Sequence, residues 1–280
     1  MASLRGLFDE LRKGPGADGE KVQRILATCP GATRWRFEDA FSFGDLPMYV
    51  ALLKSVPTDI LQKVFDAYPE AVRHHNLDGD LPLHLALRHH ASEAVMQMLL
   101  DADPEAARMP KRDGDLPLHM ALRLCESEAI MHKVLDAYPE AARTPNRNGD
   151  LPLDTAICNH ASEAIMQKVL DAYPEAARWR TRHGALMLHL ALHFHASEAS
   201  MQNIFDAYPE VARERSLLGD LPLHLVLRYH ASEAIVQKIF DAYPEAAHVS
   251  EIGAKSPWPL ASTCTAAAPY TGGNTSVGAG

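Results

Sequence analysis

A six-residue phrase, GDLPLH or a close variant, returns at strict intervals along the chain, and no other feature limits the possible folds as much. It opens at Gly44, Gly79, Gly114, Gly149, Gly184 and Gly219, so each step, as in 79 − 44 or 114 − 79, is 35 residues. A second phrase, DAYPEA or a variant, keeps the same beat from Asp66 through Asp101, Asp136, Asp171 and Asp206 to Asp241. Self-similarity at a period of roughly 20–50 residues marks a solenoid, in which each small unit buries its apolar face only by stacking on its neighbours. The core is therefore expected to run as a line through the stack. The 47% hydrophobic content of the 280 residues is ample for it.

The unit from Gly79 to Asp113 shows how the sequence dictates local structure. After the Gly79-Asp80 turn, Pro82 is suited to the first helical turn, where its missing N–H costs nothing. A short helix is predicted from about Pro82 to His89, with Leu83, Ala86 and Leu87 on its core side. Ser92 is placed as an N-cap, with Glu93 in the first turn, where the helix dipole favours a carboxylate. A second helix is predicted over Glu93 to Ala102, its apolar face formed by Val95, Met96, Leu99, Leu100 and Ala102, while Gln97 and the later Lys133, Lys168 and Lys238 point outward. Pro104 and its equivalents stop that helix. About ten residues remain before the next Gly-Asp, enough for a projecting hairpin.

Gly, then Leu-Pro-Leu-His, then x-Ala, closely resembles the ankyrin repeat. The match is carried by Gly79, Pro82, Leu83, His84 and Ala86, by Gly114, Pro117, Leu118, His119 and Ala121, and by Gly219, Pro222, Leu223 and His224. The resemblance implies an all-α, ankyrin-like solenoid of stacked helix-turn-helix repeats with projecting loops. Six repeats are expected, at 44–78, 79–113, 114–148, 149–183, 184–218 and 219–253. The period exceeds the family's usual ~33, Leu replaces Thr before Pro, and Tyr-Pro replaces the Gly that commonly closes the second helix. Asp80 and its equivalents are assigned the lost capping oxygen. Tetratricopeptide repeats have a similar period, but their Trp, Gly and Tyr signature is absent.

Residues 1–43, with helices predicted over Leu4 to Lys13 and Glu20 to Thr28, read as a degenerate capping repeat. Residues 254–280 read as a degenerate repeat remnant and a disordered tail: Pro257 falls on the beat, but Trp258 and Pro259 take the Leu and His slots. Net charge is −9, so the molecule as a whole is no electrostatic partner for nucleic acid. Four cysteines without a CxxC pair suit a reducing compartment. Without a signal-peptide pattern or membrane span, a cytoplasmic protein is expected, with the nucleus as the alternative.

The histidines invite a metal reading, and geometry argues against it. Stacked helices lie ~8–10 Å apart, whereas two ligands of one zinc lie within roughly 4 Å of each other. The ankyrin resemblance gives His84, His119, His189 and His224 a structural hydrogen bond between neighbouring repeats. His90, His160, His195 and His230 form a second column. His189 and His193, four apart on one helix, are the one pair able to chelate unaided, but Leu190 stands where a zinc-protease motif has glutamate. No phosphate loop, nucleophile elbow or acid–base cluster breaks the metre, so an enzyme is not expected, and neither a metal nor a cofactor is assigned.

Binding is expected where the units disagree. They disagree in the loops and at the ends of the first helices, segments that line the concave side in ankyrin-like folds. The candidate partner-binding residues are Arg112, Arg147, Trp179, Arg180, Arg182, His193, Phe194, Arg228 and Tyr229, a basic set seeded with the aromatic types enriched at interface hot spots. The leading arginines, Arg73 to Arg213, suit a structural role and a binding role equally. The reading that follows is a monomeric, non-enzymatic adaptor whose protein partner presents acidic and apolar groups, with no membrane contact. The alternatives are an anion or nucleic-acid binder using Arg112, Arg147 and Arg182, and a passive spacer.

Overall fold

A Leu-Pro step starts most of the first helices for a local reason, Leu186-Met187 standing in its place once. In the computed structural model, which describes residues 2–34, 46–124, 127–182, 184–216 and 219–248, Leu81 is extended (φ −80°, ψ 161°) and Pro82 stands at the start of its helix. The fixed φ of proline suits that position, and its missing N–H leaves no bond unmade. Leu116-Pro117, Leu151-Pro152 and Leu221-Pro222 repeat the device. Gly44 and Asp45 of the opening phrase and the remnant at 254–280 lie outside the described residues.

The described residues form fourteen α-helices: α1 (Ala2–Leu11), α2 (Gly19–Thr28), α3 (Pro47–Leu53), α4 (Thr58–Ala67), α5 (Pro82–Arg88), α6 (Glu93–Ala102), α7 (Pro117–Leu124), α8 (Glu128–Ala137), α9 (Pro152–Cys158), α10 (Glu163–Ala172), α11 (Met187–His193), α12 (Glu198–Ala207), α13 (Pro222–Arg228) and α14 (Glu233–Ala242). Among them there is no strand; an isolated bridge joins Arg180 to Leu186. Odd- and even-numbered helices pair, and packing sorts them into two rows. Each first helix from α3 to α13 contacts the next first helix, and each second helix from α6 to α14 contacts the next second helix. The fold is thus an all-helical repeat solenoid. Its core is a line of repeated slots: Leu83, Leu118, Leu153, Leu188 and Leu223 from the first row, and Leu99, Val134, Val169, Ile204 and Ile239 from the second, all buried. Each such side chain contributes about 1.5–3 kcal/mol.

Three local devices join the helices. Between the two helices of a pair, His90, His160, His195 and His230 adopt left-handed backbone (φ 51° to 54°), which costs a non-glycine residue about 1–2 kcal/mol. They close the first helix as glycine commonly does: the N–H of Ala91 reaches back to the Ala86 carbonyl at 2.9 Å, and that of Ala161 to Ala156 at 2.9 Å. Ser92 then caps the second helix, accepting from the Val95 N–H at 3.4 Å. After the second helix, half of the expected loop is a 3-10 helix, as at Pro104–Arg108 and Pro139–Arg143. The buried pair in each, Ala106-Ala107 and Ala141-Ala142, anchors it to the core. What projects is a tight turn. Asn76 donates to the Asp80 carbonyl at 2.9 Å, and Gly79 donates back to Asn76 at 3.1 Å. Glycine is required at these turns: Gly114 has φ +85°, and a Cβ there would lie 2.7 Å from the Arg147 backbone nitrogen.

Histidine, not aspartate, caps the first helix. His84 Nδ1 accepts from the Leu81 N–H at 3.0 Å, which places the ring proton on Nε2, 2.9 Å from the Met109 carbonyl in the loop at the end of the same unit. Asp80, assigned the capping role from sequence, is committed elsewhere: it pairs with Arg88 at 2.5 Å. Asp115–Arg123 and Asp220–Arg228 repeat that pair. On the second row, Lys168 meets Asp136 at 2.6 Å and Lys238 meets Asp206 at 2.7 Å, each tying a helix to the one before it. Pairs this exposed contribute about 0–1 kcal/mol apiece.

Candidate protein-binding face

The candidate residues fall on two columns of one architecture, the loop turns and the ends of the first helices. In the loops, each turn braces the one before it. Arg112 donates to the Leu77 carbonyl at 2.9 Å, Arg182 to Asn148 Oδ1 at 3.4 Å, and the half-buried Trp179 donates from Nε1 to the Gly149 carbonyl at 3.2 Å. Arg147 is exposed and packs over Gly114. Arg180 pairs with Glu214 of the following loop at 2.5 Å and also donates to the Gly184 carbonyl at 3.0 Å.

At the helix ends, the half-buried rings of His193, Phe194 and Tyr229 and the exposed rings of His160 and His195 meet across three consecutive units. His193 Nδ1 lies 3.1 Å from the Tyr229 hydroxyl. Its ring stands edge-on to Phe194 (centroids 5.1 Å, 86°) and to Tyr229 (5.9 Å, 72°). Phe194 in turn meets His160 at 6.4 Å, and Tyr229 meets His195 at 5.6 Å. Offset and edge-on pairs of this kind are favoured by the ring quadrupole. Burial, and secondarily His195, lowers the pKa of His193, which favours its neutral form. Beside His160 lies a recess of about 490 Å³ between adjacent units, lined by Leu124, Glu128, Met131, Asn159, His160 and Ser162. Arg228 belongs to the scaffold by its contacts, since its guanidinium is held by both oxygens of the buried Asp220 at 2.9 and 3.2 Å.

Three of the leading arginines, Arg73, Arg108 and Arg213, make structural contacts between units. Arg108 lies over the Tyr138 ring at 5.2 Å and Arg213 over Tyr243 at 5.5 Å. Where the second phrase reads DADPEA, Arg73 instead meets Asp103, which occupies the Tyr slot, at 3.7 Å. One slot thus receives the same cation through a ring or a carboxylate.

The structural histidines divide. His119 bridges two units through Leu116 N–H (3.3 Å) and the Asp150 carbonyl (3.1 Å), His84 ties its helix to the loop at Met109, and His224 caps through Leu221 N–H at 3.3 Å. His189 departs from the expected hydrogen bond: it is fully buried, and neither ring nitrogen has a partner. Burial lowers its pKa to about 4. In the neighbouring unit Asp154 takes the slot and does half of the work, with Oδ2 accepting from Leu151 N–H at 2.6 Å. Among the described residues, no group of three or more His, Cys, Asp or Glu side chains is placed to hold a metal ion. No described helix is long and apolar enough to cross a membrane.

No protein-family model matches the chain, and no curated protein matches it significantly. A solved structure of a predatory endopeptidase from Bdellovibrio bacteriovorus in complex with an immunity protein is similar to it, with a TM-score of 0.54 and 17% identity, covering 74% of this chain and 97% of that one. Likeness at that identity concerns the fold. It also overturns the exclusion of an enzyme drawn from sequence, because the fold is found in the structure of an endopeptidase complex. That exclusion rested on contiguous motifs, whereas a stack of units can bring catalytic groups together from slots far apart in the chain.

Proposed function

We propose that this chain is an ankyrin-type array that binds a protein partner through the helix-end row of His193, Phe194 and Tyr229 together with Trp179, Arg180 and Arg182. The observation that carries this reading is the continuous ring-to-ring contact from His160 through Phe194 and His193 to Tyr229, half-exposed and beside a recess. Aromatic side chains already packed on the core lose little freedom on binding, and they dominate interface energetics when buried by a partner. Arginines on the loop column would meet acidic groups at the rim. The Pro-opened first helix, the histidine bridge and the glycine turn support the ankyrin assignment, and a fold shared with a two-protein complex supports a role in protein recognition.

The test is a photo-crosslinking amino acid placed at Arg182 or, as a control, at Gln167 on the second-helix row. A partner captured at residue 182 and absent at 167 is expected, and its capture should vanish when Phe194→Ala and Tyr229→Ala are added without loss of helical circular dichroism. Equal capture at both positions, or capture that survives the double substitution, would place the binding face elsewhere.

A further inference from the structure

Three units carry the same ion pair between the loop turn and the end of the first helix. Asp80 holds Arg88 at 2.5 Å, Asp220 holds Arg228 at 2.9 Å, and Asp115 holds Arg123. In each, the carboxylate is buried and the arginine half-buried. The pair ties the two columns of the candidate face together, and it shows what this slot accepts: a guanidinium, three times out of three.

The next unit keeps the acid and lacks the base. Asp150 stands 35 residues after Asp115, in the aspartate slot, and the position eight further on (150 + 8 = 158), where the other units have arginine, is Cys158. The backbone of Asp150 is engaged: its carbonyl accepts from His119 at 3.1 Å and its N–H donates to Asn146 Oδ1 at 3.1 Å. Among the described residues, no cation pairs with its carboxylate and no donor reaches it, whereas Asp115 receives Asn146 Nδ2 at 2.9 Å besides its arginine. Asp150 is accordingly only half-buried. The same unit adds a second carboxylate in the buried Asp154. The slot lies between the two halves of the candidate face. Gly149, adjoining Asp150, accepts from Trp179, and His160, two residues past Cys158, meets Phe194.

We infer that Asp150 receives an arginine side chain of the protein partner, which enters the slot that Arg88, Arg123 and Arg228 fill in their own units. The inference rests on the binding face proposed above and names its anchor: an arginine set among the acidic groups that Arg147 and Arg182 meet. The planar fork of a guanidinium can engage both oxygens of a carboxylate, as Arg228 does on Asp220 at 2.9 and 3.2 Å, and an ammonium cannot reproduce that geometry. The rings beside the slot suit the same group, since a guanidinium also stacks on aromatic faces.

The test titrates the full chain with N-acetylarginine amide and follows the backbone amide and side-chain carboxyl of Asp150 by NMR. The controls are the citrulline derivative, which keeps the shape without the charge, and the lysine derivative, which keeps the charge without the fork. The arginine derivative is expected to give a saturable shift at Asp150 and to bind roughly ten- to a hundredfold more tightly than the citrulline one, the scale of a charge-assisted hydrogen bond. Asp150→Asn, which breaks no hydrogen bond of the folded chain, should abolish this binding. So should Cys158→Arg, which supplies the guanidinium from the chain itself as the other units do. An equal response to the citrulline or lysine derivative, or arginine binding that survives Cys158→Arg, would overturn the inference. In the cross-linking assay, capture at residue 182 should fall in both variants. Capture that persists in both, yet is lost with Phe194→Ala and Tyr229→Ala, would overturn the arginine anchor and leave the face standing. Arginine-specific binding at Asp150 without capture at residue 182 would uphold the slot and overturn the face.

Discussion

His119 joins two units through Nε2, which donates to the carbonyl of Asp150 at 3.1 Å while Nδ1 accepts from the Leu116 N–H. His189 occupies the same slot two units later, as fully buried, with both nitrogens unpartnered. Leucine, close to histidine in volume, should therefore have opposite effects at the two positions. His119→Leu leaves a buried N–H and a carbonyl unsatisfied and should cost about 1–3 kcal/mol, whereas His189→Leu removes two unsatisfied groups and should gain about 1–2 kcal/mol. Urea denaturation of the two variants against wild type measures both signs.

Stability should fall with acid in two windows. The pKa of His189 is about 4 against an ordinary 6.5 because burial disfavours its charged form, and burial lowers those of His84 and His119 as well. Below pH 6.5 the unfolded chain therefore binds protons that the folded one does not, so stability present above 6.5 declines as pH drops towards 4, by up to about 3 kcal/mol for His189. His189→Leu should flatten that slope. Glu10 governs the lower window. Its burial would raise its pKa, but Lys13, Lys21 and the Asp18 N–H outweigh burial and hold it at about 2 against an ordinary 4.5. The stability it contributes is full above 4.5 and is lost as pH falls towards 2. Denaturant midpoints measured from pH 8 to 2, with His189→Leu and Glu10→Gln compared to wild type, resolve the two windows.

The left-handed histidines hold a backbone that glycine adopts freely. His90→Gly should stabilise the array by about 0.5–1 kcal/mol, the strain relieved at φ 52° being partly offset by glycine's greater unfolded-state entropy. A lower thermal midpoint for His90→Gly would show that the imidazole contributes more by its contacts than the backbone loses by strain.

Asp103 is the outlier in its slot. Replacing it by tyrosine would exchange an ion pair between the buried Asp103 and the exposed Arg73 for the stack seen between Arg108 and Tyr138. Each interaction contributes about 0.5–1 kcal/mol, so Asp103→Tyr should change stability by less than about 0.5 kcal/mol at low salt and gain relative to wild type as salt screens the pair. Denaturation at low and high ionic strength distinguishes this from a simple loss.

Much of this architecture was legible in the repeat alone. Pro82, Leu83, Ala86 and Leu87 predict a short helix to about His89, one residue past its observed end, and Val95, Met96 and Leu99 predict the second. Contacts that cross units were not legible. Sequence places Arg108 in a slot but gives no direction to its side chain, so the Tyr138 ring could not be chosen over a helix terminus. Asp80 looked like a cap because caps are local, yet its partner, Arg88, sits at the far end of the same helix. The 3-10 segments were hidden because Pro-Glu-Ala-Ala-Arg reads as a helix stop followed by loop, and what orders it is the burial of two alanines against a neighbouring unit. At the candidate site, the aromatic residues were identifiable by their non-recurrence, but the part His160 plays beside Phe194 was masked by its membership of a recurring column.

The reach of Arg108 to Tyr138 has a consequence for how such a chain can change its length. The contact spans thirty residues (138 − 108 = 30), and the same offset separates Arg73 from Asp103 and Arg213 from Tyr243. Excision of residues 114–148 would therefore bring Tyr173 to the position Tyr138 had held, and every severed bond would find an equivalent atom waiting. Loss of five residues from the same stretch would leave the guanidinium facing the wrong turn of the next helix. Such a gene can gain or lose whole repeats by unequal recombination without passing through an unfoldable intermediate, whereas small insertions and deletions are tolerated only where no arginine is counting.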